Sequence, residues 1–245
     1  MTIDSTQPPE PVDDVEPLPL DETRHHFSET LDGIKLGMVQ MGSLVTENVR
    51  RAGDVMLEGR LDLAPVVIEH DREVNRLYAE MEQLTFETLA RQQPVAGDLR
   101  FLVSTTRILY EIERSGDLAV NCVNVAQREH GLPQSPKLTA LLNQMVSECC
   151  SLFAAGVDAL ADMDPVAGAA LDAKDDVLDD LVGRYYTEIG RVSEEIGLET
   201  AIQLSKVGRF LERIGDHAVN VGENVAYVIT AKFPGDTHAG VAEYE

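Results

Sequence analysis

The feature that most constrains the fold of this chain is an internal repeat. The segment EIERSGDLAVN runs from Glu111 to Asn121 and FLERIGDHAVN from Phe210 to Asn220, with seven of the eleven positions identical. Both copies lie in long segments whose apolar residues recur at steps of three and four, the pattern of an amphipathic α-helix. The chain is therefore predicted to contain one helical unit used twice.

Six long helices are predicted, over approximately 22–58, 63–92, 96–128, 135–162, 166–194 and 198–231. The first shows the helical spacing in Phe27, Leu31, Ile34, Met38, Met41, Val45 and Val49. Breaks are predicted before Pro94, at 163–165 and at Gly197, which suits a helix C-cap. Because short connections between long helices imply antiparallel neighbours, each half is predicted to be an up-down-up bundle. The predicted fold is all-α, with two tandem three-helix bundles.

The ends of the chain differ in composition from the helical segments. Residues 1–21 are rich in proline and acidic residues, and they bury too little apolar surface to fold, so a disordered tail is predicted. The predicted organisation is a tail over 1–21, a first repeat over 22–133, a second repeat over 134–231 and a flexible tail over 232–245. The N-terminal segment lacks the basic and apolar regions of a signal peptide. No run of 18 apolar residues predicts a membrane span.

The net charge of −23 limits the partners of the chain. A protein that binds DNA or RNA needs a basic face to neutralise phosphates, so nucleic acids are not expected partners. Cations and basic protein surfaces are the partners that this charge favours. The three cysteines, Cys122, Cys149 and Cys150, show no zinc-binding spacing, and so sparse a set fits a reducing cytoplasm.

The repeat carries acidic side chains on one helix face. In the second copy, Glu212 and Asp216 are four residues apart, and Asn220 and Glu223 follow at steps of four and three, within an arc of about 80°. The corresponding positions in the first copy are Glu113, Asp117, Asn121 and Asn124. Each copy therefore predicts a stripe of carboxylate and amide side chains.

The preceding helix of each half supplies a second pair of side chains. These pairs are Asp71 with Asn75, and Asp175 with Asp179. Each pair lies roughly as far before the turn between the two helices as the ExxxD pair lies after it. With a rise of about 1.5 Å per residue, the two pairs of an antiparallel hairpin lie at similar height. Each half is therefore predicted to bring a DxxxD or DxxxN pair beside an ExxxD pair.

Four acidic or amide side chains at one place need compensation for their negative charge. Arg114 and Arg213 are close in sequence and could supply the positive charge. A divalent cation is the alternative, because oxygen ligands suit magnesium, manganese, calcium and iron. A solvated helix face is the other interpretation of any single pair. Gly116 and Gly215 each cost about 1 kcal/mol of helix stability. The close approach of another backbone or of an ion cluster explains this cost, and so does tight core packing.

No motif in the sequence indicates catalysis. Ferritin-like di-iron bundles need an ExxH motif on each of two facing helices, and the chain does not supply this pair. The phosphate-binding loop, the GxSxG elbow and the HExxH motif are also absent from the sequence. No nucleophile lies at a readable spacing from a base, so the chain is predicted not to be an enzyme. His217 is rotated about 100° from Asp216 and is expected to be a polar residue at the edge of the motif.

These motifs resemble those of the PhoU family, the accessory proteins of phosphate-specific transport. The similarity rests on the R-x-x-F of Arg24–Phe27, on QPVAGDLR over 93–100 and on the two E-R-x-G-D-x-A-V-N segments. It extends over nearly the whole chain after the N-terminal tail. The family fold is a pair of three-helix repeats, in agreement with the predicted helices.

The resemblance also implies a metal site. Family ExxxD and DxxxD motifs carry multinuclear clusters of iron, zinc or other divalent ions, with magnesium and manganese also expected here. The implied ligands of the second half are Asp175, Asp179, Glu212 and Asp216, with Glu223 as an additional candidate. Those of the first half are Asp71, Asn75, Glu113 and Asp117. Asn75 and Asn124 replace carboxylates of the second half and bind cations more weakly, so the second site is expected to be the stronger one.

The resemblance implies a cytoplasmic regulator. Family members contact the ATPase subunit of the phosphate ABC transporter and a sensor histidine kinase, form homodimers, and restrain uptake and the phosphate-starvation response when phosphate is plentiful. Two alternatives remain open. One is a metal-binding bundle that stores metal or activates oxygen, and the other is a PhoU-like regulator of a different transporter.

Overall fold

The computed structural model describes residues 20–129, Leu132 and residues 135–232. Within these ranges the chain forms α-helices and one short 3₁₀ turn (Leu61–Leu63), and no strand. The helices are α1 (Leu20–Glu58), α2 (Ala64–Gln92), α3 (Ala96–Arg128), α4 (Pro136–Asp162), α5 (Pro165–Ala169), α6 (Leu171–Ile196) and α7 (Leu198–Thr230). The predicted all-α class is confirmed. Most of the two predicted tails, and the predicted boundary at residue 133, lie outside the described residues.

The structure corrects one predicted helix. The fifth, predicted over 166–194, is divided at Ala170 into α5 and α6. Asp164 caps α5, because its Oδ1 accepts hydrogen bonds from the backbone N–H groups of Val166 (2.8 Å) and Ala167 (3.1 Å). The short helix packs mainly on α7 and also touches α4, and α6 packs on the same two helices.

The helices form two layers. In one layer α2, α3, α7 and α6 lie side by side in that order, and in the other α1 and α4 lie against each other. Helix α1 packs on α2 and α3, and α4 packs on α6 and α7. The two three-helix units are thus α1–α3 and α4–α7, and they meet along two pairs of equivalent helices. This arrangement agrees with the predicted tandem bundles.

Both of these pairs are antiparallel. At one end of the α3–α7 pair, Arg100 Nε donates to the backbone carbonyl of Val228 (3.1 Å), and at the other end Thr200 Oγ1 donates to Glu129 Oε2 (3.1 Å). In the α1–α4 pair, Gly42 lies against Val157 and Gly53 lies against Val146. The repeats are therefore related by an approximate two-fold axis, with α1 packed antiparallel to α4 and α3 packed antiparallel to α7.

One hydrophobic core extends through both repeats. The buried apolar side chains of all the long helices belong to a single cluster, which includes Met38, Ile112, Phe153, Tyr185 and Ile214. Burying a side chain of this size contributes roughly 1.5–3 kcal/mol. Because the cluster crosses the α1–α4 and α3–α7 contacts, the two repeats stabilise each other rather than folding around separate cores.

Helix α4 is the most apolar of the long helices. It is long and apolar enough to cross a membrane when judged by length and composition alone, and no other described helix is. Half of its most apolar window is buried inside the protein, and it packs on α1, α6 and α7. These are the contacts of a core helix, which passes the same test of length and composition.

We expect Gly168→Ala to destabilise the protein because α5 and α7 touch through their backbones. A Cβ atom on Gly168 would lie 2.5 Å from the carbonyl oxygen of Gly222, and a backbone cannot give way as a flexible side chain does. Overpacking of this kind costs about 1–3 kcal/mol. Urea unfolding measures the loss directly.

Gly183→Ala is the matched control, since a methyl group there meets nothing within 4 Å. It is expected to leave the free energy of unfolding unchanged or to raise it by up to about 1 kcal/mol. Equal effects of the two substitutions would contradict the proposed backbone contact.

Candidate metal centre

The second repeat brings its four predicted acidic residues together between α6 and α7. Burial, followed by the negative charges of Asp179 and Asp216, raises the pKa of Asp175 from 3.8 to about 7. Burial also raises the pKa of Asp179, with additional contributions from Glu212 and Asp216. Such mutual effects require the four carboxylates to be neighbours. We call Asp175, Asp179, Glu212 and Asp216 the second cluster.

The glycine of the repeat makes room for this cluster. A Cβ atom on Gly215 would overlap Oδ1 of Asp175, the aspartate that reaches over from α6. That oxygen is buried and has no hydrogen-bond partner. The sequence left open a close approach or tight core packing as the reason for Gly215. The structure shows both, since a carboxylate approaches it closely and Leu178 and Leu152 pack against it. An unpaired buried oxygen of this kind is costly unless something else satisfies it.

The first repeat repeats this arrangement between α2 and α3. Burial and the charge of Asp117 raise the pKa of Asp71 to about 6, and burial followed by the charges of Asp117 and Asp71 raises that of Glu113. Asn75 Nδ2 donates to Asp71 Oδ2 at 3.3 Å. Asp71 Oδ1 is buried without a partner, and it lies 3.0 Å from the Cβ position of Gly116. We call Asp71, Asn75, Glu113 and Asp117 the first cluster.

Arginines compensate part of the negative charge in both clusters. Arg114 Nη1 lies 3.1 Å from Asp117 Oδ2 in the first cluster. In the second, Arg209 Nη1 lies 2.5 Å from Glu212 Oε1, and the positive charges of Arg209 and Arg213 oppose the rise in the pKa of Asp216. Arg209 was not among the predicted compensating residues. Because burial and the remaining carboxylates still raise the aspartate pKa values, the compensation is incomplete.

Glu223, the ninth predicted ligand, lies apart from the second cluster. It is seven residues beyond Asp216 on α7, which corresponds to roughly 10 Å along the helix axis. Its charge is not among those that raise the pKa values of Asp175, Asp179 or Asp216. The structure therefore groups eight of the nine predicted residues into two sets of four.

The clusters suit a hard cation by chemistry, although their side chains are not arranged around one. In the described part of the chain, no group of three or more histidine, cysteine, aspartate or glutamate side chains has the geometry of a metal site. The donors are nevertheless all oxygen atoms or a side-chain amide, the set that magnesium, manganese, calcium and iron accept. Each cluster also holds one buried oxygen without a partner. The role of these residues as metal ligands stays a prediction.

His217 differs from its predicted place at the edge of the motif. Its side chain is only 7% exposed, and it lies between α3 and α7, where Nδ1 is 3.0 Å from Ser115 Oγ. Burial, followed by the charges of Arg213 and Arg114, lowers the pKa of the imidazole to about 4. The ring is therefore neutral near pH 7. Helical rotation placed it off the carboxylate face correctly, but sequence spacing does not reveal which helix covers it.

An open cavity of about 400 Å³ borders the second cluster between α4 and α6. Its lining includes Asp179, Lys137, Arg184 and Glu188, and the carboxylate of Glu188 is paired with Lys137 at 2.5 Å and with Arg191 at 3.1 Å. The sequence did not predict this cavity, because residues from α4 and α6 meet there only in the folded chain. Two of its charged side chains, Lys137 and Glu188, form an ion pair with each other.

The fold and the two clusters define a class of protein: a duplicated all-helical bundle that carries carboxylate clusters on equivalent hairpins. Comparison with known proteins identifies the family. The family model of the PhoU domain matches the sequence over residues 38–126 and 142–225, one segment in each repeat. The chain belongs to the PhoU family.

Individual relatives agree with this assignment. The chain is 30% identical over 210 residues to the phosphate-specific transport system accessory protein PhoU homolog of Synechocystis, covering 85% of this chain and 93% of the relative. It is 30% identical over 214 residues to PhoU homolog 2 of Mycobacterium tuberculosis, covering 86% and 100%. The crystal structure of PhoU from Pseudomonas aeruginosa superimposes with a TM-score of 0.79 at 26% identity, covering 84% of this chain and all of that one. Because PhoU proteins are accessory proteins, family membership confirms the prediction that the chain is not an enzyme.

We expect Asp175→Asn to stabilise the metal-free protein at alkaline pH. The folded state raises the pKa of the Asp175 carboxyl from 3.8 to about 7, so between these values the folded chain binds this proton and the unfolded chain does not. The contribution of Asp175 to the free energy of unfolding therefore falls as the pH rises through this window. An asparagine lacks this dependence. Because the side chain is partly exposed to solvent, we expect a difference of about 1 kcal/mol.

Urea unfolding at about pH 5 and about pH 8, with a chelator present, measures this difference. The variant is expected to exceed the wild type by more near pH 8 than near pH 5, because only part of the 3.8-to-7 window has been crossed at pH 5. Asp180→Asn, an exposed position on the same helix, is expected to show no such change. A difference between Asp175→Asn and wild type that is independent of pH would count against the raised pKa.

Proposed function

We propose that this chain is a cytoplasmic accessory regulator of phosphate uptake. The observation that carries the proposal is the match of the PhoU domain to both repeats. It is supported by relatives named as accessory proteins of the phosphate-specific transport system, which the chain matches over 85–86% of its own length.

Within this role, the chain acts as an adaptor. Its partners are the ATPase subunit of the phosphate ABC transporter and a sensor histidine kinase, and it restrains uptake and the starvation response when phosphate is plentiful. The net charge of −23 supports docking on basic partner surfaces, since complementary charge increases the rate and specificity of association. The adaptor works as a homodimer.

The two clusters bind cations in this proposal. Asp175, Asp179, Glu212 and Asp216 hold metal in the second repeat, and Glu223 joins when more than one ion is bound. Asp71, Glu113 and Asp117 hold it more weakly in the first, because Asn75 contributes a neutral amide. A bound divalent or trivalent ion (iron, zinc, magnesium or manganese) supplies the positive charge that neutralises the clustered carboxylates. The carboxylates themselves hold the hairpins together around it.

We expect Glu212→Ala/Asp216→Ala to lose at least half of the metal that the wild type binds. These side chains supply both α7 ligands of the stronger site, and a cation keeps little affinity for the α6 aspartates alone. Elemental analysis after incubation with manganese or iron(II) and removal of free metal gives the content per chain.

The matched control is Asp158→Ala/Asp162→Ala. These two aspartates are exposed, lie four residues apart on α4 and remove the same charge. The control is expected to keep the metal content of the wild type. Equal losses in the two variants would show that overall charge, rather than the cluster, attracts the metal.

Deletion of the gene is expected to cause constitutive expression of phosphate-uptake genes in phosphate-rich medium, because the restraint on signalling is removed. Transcript levels of those genes measure the effect, and complementation with the wild-type gene is expected to reverse it. Pull-down with the purified transporter ATPase and with the cytoplasmic part of the kinase tests the contacts directly. Normal repression in the deletion strain would overturn the regulatory proposal.

A further inference from the structure

The two motif copies are nearly identical where they form the clusters and differ where they face each other. Within the nine-residue motif E-R-x-G-D-x-A-V-N, only two positions differ: Ser115 corresponds to Ile214, and Leu118 corresponds to His217. In the preceding two positions, Glu111 corresponds to Phe210 and Ile112 to Leu211. Three of these eight side chains meet in one contact between α3 and α7.

That contact joins Ser115 and Glu111 of α3 to His217 of α7. Ser115 Oγ lies 3.0 Å from His217 Nδ1, and His217 Nε2 lies 3.7 Å from Glu111 Oε2. The side chains of His217 and Glu111 are only 7% and 16% exposed. Glu111 is further held by a hydrogen bond with Asn220 of α7. A buried imidazole is thus given polar neighbours by the other repeat.

The approximate two-fold axis places the other two differing residues in the matching position. Antiparallel packing that sets residue 115 opposite 217 sets 118 opposite 214 at the same time. Leu118 and Ile214 are both buried and apolar. The seam between α3 and α7 therefore carries a polar contact on one side of the axis and an apolar contact on the other.

Pairing of like helices from two copies of the chain would disrupt this arrangement. Two α7 helices packed in the same register would set His217 opposite Ile214 and Phe210, so the imidazole would lose its polar neighbours. Two α3 helices would set Glu111 and Ser115 opposite Leu118. Buried polar groups without partners are strongly disfavoured, and buried polar contacts of this kind fix register and partner choice in coiled coils.

We propose that the contact of Glu111, Ser115 and His217 is a pairing lock, which makes α3 pack on α7 and prevents α3 from packing on α3, or α7 on α7, of another copy. Within the repeated motif, like and unlike helix pairs otherwise bring identical or equally apolar residues together, so this contact distinguishes the two kinds of pair there. The lock keeps the two clusters in one fixed relation on the folded chain.

The test uses a variant in which the α3–α7 seam is apolar on both sides of the two-fold axis: Glu111→Phe/Ser115→Ile/His217→Leu. Wild type and variant are refolded from urea at equal, high concentration and analysed by size-exclusion chromatography with light scattering. We expect the variant to form at least about tenfold more of the species larger than the wild type, since the penalty on like pairing is gone. Its midpoint of thermal unfolding is expected to stay at or above that of the wild type.

A second variant transposes the lock across the axis. It combines Glu111→Phe/Ser115→Ile/Leu118→His with Phe210→Glu/Ile214→Ser/His217→Leu, and it is expected to refold as the wild type does. Ile112→Leu/Leu211→Ile, which exchanges the remaining difference without a change of polarity, is the matched control and is also expected to behave as the wild type.

Two results would overturn the lock. In the first, the apolar variant refolds without additional large species. The contact then does not select the partner helix, whatever the midpoint of thermal unfolding. In the second, the transposed variant forms the same excess as the apolar one, so the polarity of the seam does not select the partner. Should the six substitutions prevent folding, Ser115→Ile/His217→Leu is compared with the Ile112→Leu/Leu211→Ile control, with the same expected and overturning results.

Discussion

The antiparallel packing of α3 on α7 is the contact on which the rest of the structure depends. It joins the two helices that carry the repeated motif, and together with the α1–α4 contact it merges two three-helix units into one core. Both motif helices are amphipathic. The apolar side of each contributes to the shared core and to the α3–α7 seam, and the polar side presents carboxylates to the neighbouring α2 or α6. The position of the two clusters relative to each other is therefore set by the same packing that holds the repeats together.

Each cluster concentrates an electrostatic cost between the two helices of its hairpin. Burial and neighbouring charges raise the pKa of Asp175 to about 7 and that of Asp71 to about 6. In each cluster, one oxygen of these aspartates is buried without a partner, directly over a motif glycine. An ordinary solvated helix face carries neither feature, since exposed carboxylates separate and remain hydrated. The cation binding proposed above would relieve this cost in both repeats.

Much of the fold and of the candidate site was predictable because both rest on helical periodicity. The steps of three and four gave the helix faces, and the equal distances from each turn brought Asp71 and Asp175 beside their glutamate–aspartate pairs. Prediction failed where a contact joins elements distant in the chain. Beside the division of α5 from α6, Gly168 meets Gly222 of α7, and the buried His217 meets Ser115, which lies 102 residues away. Neither contact has a signal within its own helix.

The sequence by itself therefore determined which residues are helical, that the unit is used twice, and which carboxylates share a hairpin, because these follow from local geometry and short connections. The tertiary structure alone decided how the two units face each other, and that Glu111, Ser115 and His217 meet in the seam. It also decided that the glycines admit an aspartate rather than a backbone. The reason is that local spacing fixes the direction of a side chain around its own helix, whereas the identity of its neighbour depends on the packing of the whole chain.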